Sequence, residues 1–346
     1  MPPRLKDIAA QLNLSAVTVS KVLRNYTDIS PETCARVRAK VKELNYRPNL
    51  TARSLVTRRS YTIGMVLPHL RHTFFQEAYW AIYSEMAPRG YTVLIAVSLE
   101  DPETERREIE QMLARQVDGL IVASTQSFSQ ADGLREIPVP LVLLDRRLSE
   151  LQSNFAGVDD HAVGMLATEH LIEQGCRSVA HLRGPNVSTA LDRLQGYRDA
   201  LAKNGRRFRQ ALVAGGRGDD TTGYKQMLRL LKGSPRPDGV FCYNDPMAAG
   251  AMRAVFDAGL RVPDDVAIVG AGNMHYSDLF RVPLSTVDQG SIETGTNAAR
   301  LLLESIEGAK PLEPKTALTR PKLVIRDSSR RKPVQAPKRR TTARTA

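Results

Sequence analysis

From Thr62 onward, short β-branched or leucine-rich runs alternate with amphipathic helical stretches, and this restricts the fold more than any other feature of the chain. The first runs are residues 63–67, 92–97, 120–123 and 141–144, with the clearest helices at 76–87 and 103–115. The alternation continues with runs at 179–182, 240–243 and 267–269 and helices at 192–204, 247–258 and 294–307. Strands that are apolar on both faces need helices over both faces, and parallel neighbours need helical crossovers. The pattern therefore predicts a parallel α/β body. More than 250 residues of it exceed one typical sheet, so two doubly wound subdomains are expected. No fixed short repeat is present.

The first 47 residues follow a different rule and read as three short helices. Ile8, Ala9 and Leu12 form one apolar face, Asn13-Leu14-Ser15 is a turn, and Ser15 is a suitable N-cap for a helix over 16–23. Val19, Val22 and Leu23 recur at helical spacing and can pack on the first helix. Ser30-Pro31 opens a third helix, a cap followed by proline at the first helical position. Its apolar stripe is Cys34, Val37, Val41 and Leu44, and it stops near Asn45, before Pro48.

The charge is divided unevenly. Residues 1–60 hold 12 Lys/Arg against 4 Asp/Glu, or +8, and residues 329–346 hold 7 Lys/Arg and no acid, or +7. The total is +12, so the long middle carries −3. A basic head on a slightly acidic body fits a phosphate-binding module attached to a separate folded unit. The tail, which is basic, contains proline and is poor in large apolar residues, is expected to be disordered, with either a weak non-specific affinity for DNA or no role.

Two helices joined by a tight turn place the second across the first, so that its N-terminal side chains can reach base edges in the major groove of double-stranded DNA. Here the outward positions are Ala16, Val17, Ser20 and Lys21, with Thr18 in the first turn. Lys21 can donate to guanine, Ala16 and Val17 can contact thymine methyls, and Thr18 and Ser20 suit phosphates. An ordinary core hairpin has the same spacing.

The ordered set Leu5-Lys6-Asp7-Ile8-Ala9, Leu14-Ser15-Ala16-Val17-Thr18-Val19-Ser20-Lys21-Val22-Leu23, Leu44-Asn45-Tyr46-Arg47-Pro48-Asn49 and Ala52-Arg53-Ser54-Leu55 is far more specific. It closely resembles the lactose/galactose-repressor (LacI/GalR) family of bacterial transcription regulators. The resemblance runs over residues 4–327, through Val117-Asp118-Gly119-Leu120, His170-Leu171-Ile172, Arg193-Leu194-Gln195-Gly196-Tyr197 and Pro283-Leu284-Ser285-Thr286-Val287. It implies an all-α helix-turn-helix head plus an α/β body whose two doubly wound parallel-sheet subdomains resemble periplasmic sugar-binding proteins. Residues 49–56 then become a hinge helix, with Asn49 as its cap, Ala52 and Leu55 at the DNA, and Leu55 wedged into the minor groove. So short a helix is marginal alone and needs a second copy over DNA.

The resulting division is 1–48 for the DNA-binding head, 49–60 for hinge and linker, 61–328 for an effector-binding and dimerisation body, and 329–346 for the tail. Within the body, 61–158 pairs with 289–322, and 159–288 with 323–328. The implied partners are a pseudopalindromic operator, a small-molecule effector of carbohydrate type and a second copy of the chain. Repression is the default the family implies, with activation or a corepressor requirement as alternatives.

In open α/β sheets, ligands lie beyond the carboxyl ends of strands. That rule selects Phe74 and Phe75, able to stack on a ring, together with Asp145, Asn244, Asp245 and Gln289; Arg193 offers a fork of donors. Competing roles remain open. Asp245 precedes Pro246 and fits a helix cap, Asp145 can pair with Arg146 or Arg147, and one phenylalanine is expected in the core. Where the family has an acid after the 266–270 strand, this chain reads Gly270-Ala271-Gly272-Asn273, leaving Asn273 or His275 as substitutes.

Other chemistry finds little support. Gly184-Pro185 and Gly215-Gly216-Arg217-Gly218 lack the Gly-Lys-Ser/Thr of a phosphate loop, and Gly270-Ala271-Gly272 lacks the later glycine of a dinucleotide site. The six histidines show no metal spacing, and no Gly-x-Ser-x-Gly elbow occurs. An α/β sugar-metabolising enzyme with a DNA-binding head is the remote alternative, and no cofactor or metal is expected. No apolar run approaches membrane-spanning length, and the start lacks a signal-peptide core, so no membrane partner and a cytoplasmic, nucleoid-associated location are expected. Cys34, Cys176 and Cys242 read as buried thiols of a reducing compartment.

Overall fold

The computed structural model describes residues 3–23, 26–46, 59–125, 132–308 and 313–331. The chain divides into two compact units, residues 1–61 and 62–346. The first contains α1 (Leu5–Leu12), α2 (Ala16–Leu23) and α3 (Pro31–Glu43). Asn13 adopts the left-handed conformation (φ 52°), and Leu14 N–H donates to the Ala9 carbonyl at 3.0 Å, which closes the turn. Ser15 Oγ then accepts from Thr18 N–H at 3.0 Å and caps α2. Ser30 Oγ caps α3 in the same way through Thr33 N–H. Ile8, Ala9, Val19, Val22 and Val37 form the buried centre, ringed by Leu12, Leu23, Cys34, Val41 and Leu44.

The second unit contains, in chain order, β1 (Thr62–Leu67), α4 (Thr73–Met86), β2 (Thr92–Val97), α5 (Pro102–Ala114), β3 (Gly119–Val122), α6 (Asp132–Arg135), β4 (Leu141–Leu144) and β5 (Asn154–Val158). There follow α7 (Asp160–Glu173), β6 (Val179–Arg183), α8 (Ser188–Lys203), β7 (Val213–Gly215), α9 (Asp220–Lys232), β8 (Gly239–Cys242), α10 (Asp245–Asp257), β9 (Ala267–Ala271) and β10 (Ser285–Asp288). The last elements are α11 (Ser291–Glu307), β11 (Thr316–Thr319) and β12 (Lys322–Val324).

Two six-stranded sheets result, ordered β11-β5-β4-β3-β1-β2 and β12-β10-β9-β8-β6-β7. The first is wholly parallel, and the second is parallel except for its edge pair β10 and β12. In each, the first strand sits between the second and the third, so strand order reverses there and a crevice opens beyond the carboxyl ends. The chain passes between the subdomains at 158–160, 288–291 and 319–322. Helix α11 follows a strand of the second sheet but packs on α4 and on strands of the first. Gly295 permits this contact, since a Cβ there would lie 2.4 Å from the Ala78 carbonyl oxygen.

The structure adds β5, α6, α7, β7, α9, β11 and β12 to the elements legible in sequence. Helix α4 begins at Thr73 rather than near 76, and α8 at Ser188 rather than near 192. Both starts lie just beyond strand ends, where polar or aromatic residues face the crevice and dilute the helical periodicity.

The C-terminal boundary also moves. Ser329, placed in the tail on composition, is fully buried beside Ser328. Ser328 Oγ donates to the Ile268 carbonyl at 2.7 Å and accepts from Ser285 N–H at 2.8 Å, and Ser329 Oγ lies 2.7 Å from His170 Nε2. The Arg331 guanidinium donates to the carbonyls of Pro263 and Asp238. Small hydroxyls and one arginine thus fill their hydrogen bonds inside the second subdomain, something charge counting does not register. Residues 332–346 lie outside the described part.

Candidate functional sites: the head helix and the interdomain cavity

In the head, Val17 projects most clearly, with 64% of its surface exposed. Ala16 is half-buried against the head core, so its methyl serves packing as well as any contact outside. Thr18 shares a hydroxyl hydrogen bond with Ser15 at 2.8 Å, and Ser20 is half-buried. Lys21 is ion-paired with Asp28, and that bond holds the Asp28 carboxyl below its ordinary range. A lysine so placed can exchange its carboxylate for guanine or phosphate oxygens at little cost, since a half-exposed pair is worth little in water. Asn49, Ala52 and Leu55 lie outside the described residues.

In the body, the loops after the strands of both sheets enclose a cavity of about 550 Å³, counting its open mouth. Its lining includes Phe74, Phe75, Asp145, Arg193, Asn244 and Gln289 from the sequence-selected set. Phe74 and Phe75 both line it, meet edge to face at 5.4 Å and are buried, so they belong to the core as well as to the cavity wall. This is possible because they occupy the first turn of α4, not a loop.

Arg193 is buried in α8 and anchored on three sides. Its Nε donates to Asp160 Oδ1 at 2.7 Å, Nη1 to the Tyr243 carbonyl at 2.5 Å and Nη2 to Gln289 Oε1 at 3.0 Å. The guanidinium also stacks over the Tyr243 ring at 4.7 Å. The ion pair needs close helices, and two glycines supply them. A Cβ on Gly164 of α7 would lie 2.2 Å from the Arg193 carbonyl oxygen, and one on Gly196 of α8 would lie 2.1 Å from that of His161. Burial pushes the Asp160 carboxyl up to about 7, against the pull of Arg193.

A second arginine completes the opposite wall. Arg146 makes a two-pronged pair with Glu100, both bonds 2.8 Å, and donates to the Ser124 carbonyl at 3.2 Å. Asp145 does not form the surface ion pair considered for it; it is buried, left-handed (φ 65°) and lines the cavity. Burial raises its carboxyl pKa, opposed by Arg146 and Arg193. At the mouth, His69 and His72 stack at 4.4 Å, and His72 Nδ1 lies 3.3 Å from Asn244 Nδ2. Burial pushes His72 down to about 4, so it is neutral near pH 7.

Two expected contacts are not in the cavity. Asp245 is fully buried and receives hydrogen bonds from Thr286 Oγ1 (2.6 Å), Met274 N–H (2.9 Å) and Ser277 Oγ (3.1 Å). It ties α10 to the loop between β9 and β10 and to β10 itself, while the capping role goes to Asn244, whose Oδ1 accepts from Met247 N–H at 3.0 Å. Asn273 is held by Asp288 and Arg326 and does not replace the missing acid. His275 is not among the lining residues either. At that place Gly272 (φ 138°) presents bare backbone to the cavity.

His69, His72, Glu100, Arg146 and Tyr243 escaped the sequence reading. All five follow strand ends, so the same rule reaches them: His69 and His72 after β1, Glu100 after β2, Arg146 after β4 and Tyr243 after β8. Among the described residues, no group of three or more His, Cys, Asp and Glu side chains is arranged to hold a metal, and no helix is long and apolar enough to cross a membrane.

Comparison with known proteins gives this geometry a setting. Residues 4–49 match the bacterial regulatory proteins of the lacI family, and 168–329 match the periplasmic binding protein-like domain. The ribose operon repressor of Halalkalibacterium halodurans is 34% identical over 94% of this chain and 97% of its own length. The transcriptional repressor PurR of Mannheimia succiniciproducens is 32% identical over 94% and 98%. Among solved structures, the lac repressor dimer bound to operator and the anti-inducer ONPF superposes with a TM-score of 0.84 at 27% identity, covering 95% of this chain and 99% of that one. The regulator CelR in complex with cellobiose gives 0.72 at 30% identity, covering 94% and 99%. With full-length relatives at this identity, a helix-turn-helix head and a two-sheet body, the chain belongs to the lacI family of bacterial regulatory proteins.

Proposed function

We propose that this regulator is a cytoplasmic, nucleoid-associated, non-enzymatic repressor that grips a pseudopalindromic operator as a homodimer and changes its grip when a small oxygen-rich ligand fills the interdomain cavity. The observation that carries this reading is the Arg193 fork, fixed by Asp160, Tyr243 and Gln289 at a cavity walled by both subdomains. A ligand touching Asp145 from one side and Arg193 from the other favours one angle between the sheets. That angle is a two-state element able to bias the segment leading to the heads. A single small head gives little affinity or specificity, so two heads on two half-sites are needed.

Ala16, Val17, Thr18, Ser20 and Lys21 read the major groove in this scheme, and Asn49, Ala52 and Leu55 act in the minor groove. The test is fluorescence anisotropy with a labelled duplex from upstream of the gene, against a scrambled duplex at fixed salt. Specific binding should exceed non-specific binding by roughly 10³-fold or more. Leu55→Ala should remove most of that margin while ligand binding persists. Equal affinity for both duplexes would overturn the proposal.

A further inference from the structure

The donors and acceptors left over in the cavity say what its ligand carries. Gln289 Oε1 is occupied by Arg193, so its Nε2 amide faces outward as a donor with no partner among the described residues. Asn244 Oδ1 is occupied by the cap of α10, so Asn244 meets His72 with its amide N–H. That fixes His72 Nδ1 as acceptor and leaves Nε2–H as a donor. Arg193 retains a second Nη1 hydrogen. Against these three donors, Asp145 is the one carboxylate of the described lining without a side-chain partner, since Glu100 is spent on Arg146.

A neutral polyol suits such a wall poorly. Each hydroxyl that accepts from one of these donors brings its own hydrogen, and a buried hydroxyl hydrogen without an acceptor is costly. A carboxylate brings acceptors with no hydrogens attached, and hydrogen bonds to charged groups are the stronger ones. Gly272 lies beside the same donor: a Cβ placed on it would stand 3.4 Å from Asp245 Oδ2 and 4.0 Å from Gln289 Nε2. We propose that the cavity binds a sugar acid, its carboxylate on Gln289 Nε2, His72 Nε2 and Arg193 and its hydroxyls on Asp145. This rests on reading the cavity as the effector site.

The experiment is isothermal titration of the full-length protein with two matched sets, the ribose and the glucose series, each of aldonate, uronate, aldose and aldose phosphate. The acid of at least one set should bind about tenfold or more tightly than its neutral sugar. Gln289→Glu has the same shape and can still accept from Arg193, but it turns the free donor into an acceptor. It should weaken the acid about tenfold or more and abolish the preference for the acid over its neutral sugar, with circular dichroism confirming the fold. A neutral sugar or a phosphate ester binding as tightly as its acid would overturn the inference while leaving the cavity an effector site. No binding by any of the three classes, with operator binding intact, would overturn both.

Discussion

Arg193 is useful because of what holds it, and the same partners make it expensive to remove. Arg193→Ala should abolish any ligand-induced change in operator affinity while unliganded binding persists, measured by anisotropy with and without saturating ligand. Asp160 would then be a buried carboxylate without its cation, a loss in the range of about 3–5 kcal/mol that should lower the melting temperature. Arg193→Ala/Asp160→Asn should recover part of the stability but none of the response. A ligand response surviving in the single variant would remove Arg193 from the mechanism. His181 makes a second residue-scale case. It is fully buried, stacked on Phe241 at 4.6 Å, its Nδ1 bonded to the Phe241 carbonyl and its Nε2 without a partner. Burial pushes its pKa from 6.5 down to about 3, so the fold holds it neutral. The unfolded chain takes up the proton first, so stability is complete above about pH 6.5 and drains away as pH falls towards 3. His181→Phe should flatten that part of a melting-temperature profile; an unchanged slope would assign the acid sensitivity elsewhere.

At the scale of elements, the recognition helix depends on its entry. Ser15→Ala deletes the cap of an eight-residue helix and should cost about 1 kcal/mol, lowering operator affinity and head stability together. Lys21→Ala separates two roles: a loss of about 1–3 kcal/mol confined to one base pair marks guanine readout, while an equal loss on all duplexes marks a phosphate contact. These elements were legible because local signals specify them: cap, turn and a short apolar face occupy consecutive residues. The body was legible as alternation, but β5, β7, β11 and β12 are short, and several of their residues are polar or exposed, so periodicity could not find them. The cavity was half legible for the same reason. The strand-end rule located Asp145, Asn244 and Gln289 but could not tell which of the adjacent Asn244 and Asp245 turns inward. That choice depends on Thr286 and Ser277, which lie more than thirty residues downstream and draw Asp245 away.

At the scale of the molecule, α4 and α11 pack together, and each exposes large apolar side chains. Trp80 is 64% exposed, Tyr83 44% and Ile292 57%. Trp80 and Tyr83 are three residues apart and so lie on one side of α4. Large aromatics exposed together are what the centre of a protein interface is built from, because they bury much area at little entropic cost. Gly295 keeps α4 and α11 close enough to act as one platform. A second copy on this face would give the two-headed unit that a pseudopalindrome requires. Trp80→Glu should therefore raise the dimer dissociation constant by about thirtyfold, the effect of losing about 2 kcal/mol at an interface centre. Sedimentation velocity across a dilution series measures it directly. Operator affinity should fall in parallel, because two separate heads no longer share one binding event, whereas ligand affinity per chain should hold, since Trp80 is not among the residues lining the cavity. A variant that stays dimeric at the dilution where the parent dissociates would place the interface on another face.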